Sequence, residues 1–146
     1  MIGHYILNEQ GEPVLEPDFM KYARWFEAAE RHIGNTWFGD IRVSTVFLGI
    51  DHSFSSVEGG SPVLWETMVF ADEAILTRLM ELSETDDRSI LAQFFGGIDI
   101  QKRYSSRKAA EEGHQLMCIF IATCLAKGLL RESVEAEGEN SCDLKK

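Results

Sequence analysis

A chain of 146 residues, 45% hydrophobic and 10% aromatic, matches one ordinary domain, since about 150 residues is a typical domain length and such a domain buries roughly two-thirds of its unfolded surface. Its 24 acidic and 14 basic side chains give a formal charge of −10, which repels a phosphate backbone and weighs against direct nucleic-acid binding. Solubility and attraction for a basic partner are the roles that charge leaves open.

Tyr5 to Leu7 and Pro13 to Leu15, separated by Asn8-Glu9-Gln10-Gly11, read as a small hairpin with Gly11 supplying a positive φ and Pro13 marking an edge strand. From Pro17 to Ile33, the residues Phe19, Tyr22, Ala23, Phe26, Ala29 and Ile33 recur at helical spacing, with Gly34 just past the end; this predicts one amphipathic helix. Asn35 to Phe38 and Ile41 to Ile50 form a second expected hairpin around Gly39-Asp40, and the β-branched run from Val43 to Leu48 belongs at the centre of a sheet. Val63 to Phe70 returns antiparallel after a Gly- and Ser-rich loop from Asp51 to Ser61.

Two short helices are expected over Asp72 to Leu82 and Asp87 to Phe95, ended by Gly96-Gly97. Ile98 to Tyr104 reads as a last strand whose Lys102 and Arg103 protect an edge. A long helix follows from Ser106 to about Lys127, with Ala109, Gly113, Leu116, Phe120 and Cys124 as one stripe widened by Ile119, Ile121, Ala122 and Leu125 toward all-round burial. It is expected to be the spine of the core or of a dimer contact. Residues 131–146 carry five acidic side chains and few large apolar ones, the composition of a disordered tail. The expectation is therefore a single α+β domain over 1–130, with an antiparallel sheet of four to six strands, an N-terminal and a long C-terminal helix on one face, and a helical insertion over 71–95.

Cys118, Cys124 and Cys142 form no CxxC and meet no histidine at zinc spacing, so reduced thiols and no metal or other cofactor are expected. The start of the chain lacks a basic n-region and a long apolar run, and the apolar window Leu116 to Leu130 is broken by Thr123, Lys127 and Gly128. A soluble cytoplasmic protein that neither enters nor spans a membrane is the expectation.

The segments Tyr5-Ile6-Leu7-Asn8-Glu9-Gln10-Gly11-Glu12-Pro13-Val14, Ala23-Arg24-Trp25-Phe26-Glu27, Val43 to His52, Leu64 to Phe70, Arg103-Tyr104-Ser105 and Ala110-x-x-Gly113-His114 occur in the order that resembles a family of small uncharacterised proteins of tailed bacteriophages and prophages. The resemblance spans most of residues 5 to 117 and implies a bacterial-host cytoplasm; it supplies no activity. In two places the chain departs from that pattern. The stretch from about Ala71 to Phe95 replaces a short glycine-rich turn, and Ser106 stands where a tryptophan is usual.

Asp51 and His52 at a strand end, Glu66 on the returning strand and His114 on the long helix are the candidate catalytic set, since imidazole and a tuned carboxylate exchange protons near neutral pH. No HExxH, HxH or DxD spacing supports metal capture. The structural alternative has Asp51 shaping its loop, the histidines packed with a ring nitrogen satisfied, and Glu66 paired with Arg42 or Arg103. Arg103, Tyr104, Ser105 and Arg107 are the candidate ligand-binding residues, for a small anion at the long helix's N-terminus; an edge strand followed by a serine cap is the alternative. Neither Gly59-Gly60 nor Gly96-Gly97 fits a phosphate-loop pattern, and no GxSxG elbow is present.

Three functions follow as expectations. The first is a non-enzymatic phage accessory protein that acts by binding, as a homo-oligomer or by docking its own acidic surface on a host or phage protein. The second is a nucleotide or signalling-molecule binder or hydrolase using Asp51, His52, Glu66 and His114. The third is an anti-defence protein that mimics nucleic-acid charge.

Overall fold

The computed structural model describes residues 3–53, 60–84 and 100–130. Strands β1 (Tyr5–Leu7) and β2 (Pro13–Leu15) pair antiparallel in a two-stranded ribbon. Asn8 builds its turn: the side-chain oxygen accepts the N–H groups of Gln10 at 3.0 Å and Glu12 at 2.9 Å, while Gly11 takes φ +75°, a region costly for a residue with a Cβ. Helix α1 (Phe19–Ala28) starts at Asp18, whose carboxylate accepts from the N–H groups of Met20 and Lys21.

That helix ends five residues before the point its periodicity suggested. Ala29 turns extended (φ −78°, ψ 141°), and the Arg31 carbonyl accepts the N–H of Phe47 at 2.8 Å, so the backbone leaves the helix to begin a sheet ladder. Ile33 still reaches the core, from strand β3 (His32–Phe38). Spacing alone could not separate the two routes to the same burial.

Strands β4 (Ile41–Phe47), β5 (Trp65–Phe70) and β6 (Gln101–Tyr104) complete a four-stranded antiparallel sheet in the order β3-β4-β5-β6. The run from Val43 is central and β6 is an edge, as the sequence implies. The two hairpins form separate sheets of two and four strands, joined at the bridge between His4 and Ile50. Helix α2 (Glu73–Glu84) begins where Asp72 accepts the N–H of Ile75 at 2.9 Å. Helix α3 (Arg107–Ala126) begins where Ser106 accepts the N–H of Ala109. The expected helix over Asp87 to Phe95 and the tail 131–146 lie outside the described residues. The fold is α+β.

The three described helices pack on one side of the four-stranded sheet. Side chains alternate across a strand, and Ile41, Val43, Phe47, Trp65 and Val69 are nearly solvent-free on that side. Phe47 meets Trp25 of α1 edge-on at 5.8 Å and Trp65 at 5.4 Å; Ala110 of α3 joins this cluster. At the other end, Ile41, Val43 and Val69 pack with Leu79 and Leu82 of α2 and with Met117, Phe120, Ile121 and Cys124 of α3.

The buried stripe of α3 is therefore Ala110, Met117, Phe120, Ile121 and Cys124. The wider stripe the sequence suggested is corrected: Leu116 is 41% and Ile119 54% exposed, because a helix lying on one sheet face has an outer side that nothing described here covers. No helix among the described residues is long and apolar enough to cross a membrane.

Candidate functional site

The four candidate catalytic residues occupy three separate environments. His114 points from α3 onto the sheet, where its Nε2 lies 2.9 Å from Thr36 Oγ1 and its Nδ1 2.8 Å from Thr45 Oγ1. Thr45 Oγ1 is in turn 2.6 Å from Thr67 Oγ1. The Tyr104 hydroxyl lies by Thr67, and the Cys118 thiol by Thr36. These groups form one polar seam across β3, β4 and β5 beneath α3, and it divides the two apolar clusters.

Close packing closes the seam. Gly34 lies so near His114 that a Cβ there would come within 2.6 Å of the ring, and Gly113 leaves the space that the Tyr104 phenol fills. Burial holds the His114 pKa below the usual histidine value, since a low-dielectric site disfavours the imidazolium. A neutral imidazole has one N–H donor and one acceptor nitrogen, and two rotatable threonine hydroxyls complement both. A hydroxyl beside an imidazole begins a nucleophile–base pair, but Thr45 and Thr67 are completely buried and α3 covers them.

Glu66 lies on the opposite side of the sheet. Thr67 faces α3, so its strand neighbour Glu66 faces away. There the Glu66 Oε2 accepts from Arg103 Nε and from Gln101 Nε2, each at 2.8 Å. The four-stranded sheet thus stands between Glu66 and His114. Of the two cationic partners considered for Glu66, Arg103 holds it. Arg42 does not.

Asp51 shapes its own loop. Its carboxylate accepts from the N–H of Ser53, the N–H of Val63 and the Ser53 hydroxyl, each at 2.9 Å. Burial opposes its ionisation, but these hydrogen bonds outweigh that effect and hold its pKa below the usual carboxylate value. His52 ties the same loop to β5's approach through its backbone N–H to the Val63 carbonyl at 2.9 Å. Asp51, His52, Glu66 and His114 do not come together.

The anion-binding set separates in the same way. Arg103 is engaged by Glu66, Tyr104 is buried on the helix-covered side, and Arg107 Nε bonds Glu111 Oε1 at 3.0 Å. Ser106, next to Ser105, caps α3. The local chemistry is an edge strand leading into a capped helix. Among the described residues no three His, Cys, Asp or Glu side chains could hold a metal ion.

Two other surfaces bring together groups from different segments. The first is the sheet side opposite the helices. The strand register lays its residues in rows: Trp37, Arg42 and Phe70; then Asn35, Ser44, Met68 and Gln101; then His32, Val46, Glu66 and Arg103. Trp37 is 60% and Phe70 44% exposed. The Arg42 guanidinium lies between them, 5.7 Å from the Trp37 ring centre and 5.3 Å from that of Phe70. Its Nε donates to Asn35 Oδ1 at 2.8 Å, and its Nη2 lies 3.3 Å from His32 Nε2.

The second surface is a cleft of about 530 Å³ at the meeting of the β1–β2 ribbon, the start of α1 and the Asp51 loop, lined among others by His4, Tyr5, Leu15, Glu16, Phe19 and Asp51. Another hollow, of about 590 Å³, has α2 residues as its described lining.

Sequence reasoning missed the three threonines of the seam. The signal was present: Thr45 and Thr67 sit at inward positions of strands whose other inward residues are Val43, Phe47, Trp65 and Val69. A polar residue there needs an internal partner, and His114 on the facing helix meets that need. Comparison of the chain with family models, curated proteins and solved structures found no significant match.

Proposed function

We propose that this protein acts by binding another protein through the side of its four-stranded sheet opposite the described helices, in the phage or prophage setting that the sequence resemblance suggests. The observation that carries this reading is the row Trp37, Arg42 and Phe70. Tryptophan and arginine are enriched at the energetic centres of interfaces, and a guanidinium between two exposed aromatic rings is already ordered, so fixing it against a partner costs little further entropy. The segregation of Glu66 from His114 and the engagement of Asp51 with its own loop weigh against the hydrolase reading.

The partner surface is acidic and partly apolar: a carboxylate for Arg42 and an aliphatic or aromatic group for the flanking rings. A second copy of this chain is the alternative occupant. Affinity capture from lysate of infected or lysogenic bacteria, run in parallel with the wild type and with Trp37→Ser/Arg42→Glu, tests the reading. A protein enriched by the wild type and lost with the double variant supports it. Capture that is absent, or equal for both baits, overturns it, and sedimentation of the pure protein shows whether the occupant is a second copy.

A further inference from the structure

The cleft beside Asp51 is separate from the sheet face and differs from it in charge. Backbone hydrogen bonds fix its walls: the Glu16 N–H donates to the His4 carbonyl at 2.8 Å, the Tyr5 N–H to the Gly49 carbonyl at 2.8 Å, and the Asp51 N–H to the Gly3 carbonyl at 3.2 Å. Its rings are fixed too. His4 packs edge-on to Phe19 at 5.6 Å and against Tyr22 at 4.7 Å, so Phe19 is held in place although 60% exposed.

Glu16 and Asp51 both line the cleft, and among the described residues no lysine or arginine does. Three hydrogen bonds from its own loop keep Asp51 ionised at neutral pH. Glu16 is positioned by the Asp18 N–H, which donates to its Oε1 at 3.0 Å. The opposing charge of the α1 N-terminus is already answered by Asp18.

We infer that this cleft binds an organic cation, an ammonium or guanidinium group on an aliphatic stem, with Glu16 and Asp51 facing the charge and Tyr5, Leu15 and Phe19 covering the stem. Aromatic faces attract cations and also bury their alkyl portions. Two carboxylates with no lysine or arginine in the described lining repel an anion and give a neutral alcohol no charge to answer. The size suits a small ligand or one side chain, within the roughly 300–1,000 Å³ of such sites.

The test is a titration of isotope-labelled protein followed by NMR, using n-butylammonium, its neutral analogue 1-pentanol and the anion valerate. Saturable shifts of the Tyr5, Phe19 and Asp51 amides are expected with butylammonium. The affinity should be about fivefold weaker for pentanol and weaker still for valerate, and about fivefold weaker for butylammonium in Glu16→Gln. That variant keeps an acceptor for the Asp18 N–H, and an unchanged spectrum elsewhere shows that it folds. Equal binding of pentanol and butylammonium, an unaffected Glu16→Gln, or no saturable shift overturns the inference. Comparison with Nα-acetyl-lysine-N-methylamide separates the two sources of such a cation. A gain over butylammonium points to a partner's side chain, and no gain points to a free amine.

Discussion

His114 Nδ1 lies 2.8 Å from Thr45 Oγ1, and this contact between α3 and the central strand organises the interior. It sits where two apolar clusters meet, and with the Thr36 contact it fixes how α3 lies across three strands. A polar group inside a core costs stability unless it is bonded, and bonded it favours one arrangement over its neighbours.

Replacing His114 with alanine should destabilise the protein by about 1–3 kcal/mol, the cost of leaving buried polar groups unpaired, with a cavity contribution in addition. Urea denaturation measures it. Thr45→Val should cost less than His114→Ala, because it removes one hydroxyl and keeps the volume filled. The reverse order would mean that the imidazole is not the centre of the seam.

The same histidine gives the fold an acid sensitivity. Its folded pKa is depressed below 6.5 by burial, so the unfolded chain takes up a proton at a higher pH than the folded one. Stability from this group is therefore complete above about 6.5, falls as pH drops below that value, and is fully lost once pH passes the folded pKa. Denaturant midpoints measured between pH 7.5 and 5 should fall for the wild type, with a shallower fall for His114→Ala.

Gly113→Ala tests packing against propensity. Alanine is favoured over glycine inside a helix by about 1 kcal/mol, but here a Cβ would meet the Tyr104 phenol. Overpacking of this kind costs about 1–3 kcal/mol, so the substitution should destabilise. A gain in thermal midpoint would contradict the contact.

Both described thiols should be slow to alkylate in the folded protein. Burial pushes Cys124 up to about 11 and raises Cys118 as well, and the thiolate is the reactive form. Peptide mapping after brief iodoacetamide treatment at pH 8 should find both modified far more slowly than in denatured protein.

Much of the architecture was legible in the sequence. The alternation of Val43, Thr45 and Phe47 and the serine before Arg107 act locally, so β4 and the start of α3 follow from the chain itself. The end of α1 was not, because Ile33 satisfies a helical stripe and a strand's inward position equally well. The rotation of the α3 stripe depended on where the sheet lies, which no single helix records.

The candidate site divides along the same line. Asp51's loop and the pairing of Glu66 with Arg103 are short-range or cross-strand relations visible in residue types. The side of the sheet on which each residue falls requires the strand register, and that register separates Glu66 from His114. It also aligns Trp37, Arg42 and Phe70, which are distant in sequence.

The claim on which the account rests is that, among the described residues, one side of the sheet is sealed around a neutral histidine while the other presents Trp37, Arg42 and Phe70 to partners. Nitrogen-15 NMR of the His114 imidazole, followed from pH 8 to 6 with and without added zinc, tests this most directly. The account predicts one protonated and one unprotonated ring nitrogen, held at pH 6.5 and unmoved by the metal. A ring that is half-protonated at 6.5, or whose signals shift on adding zinc, would contradict it.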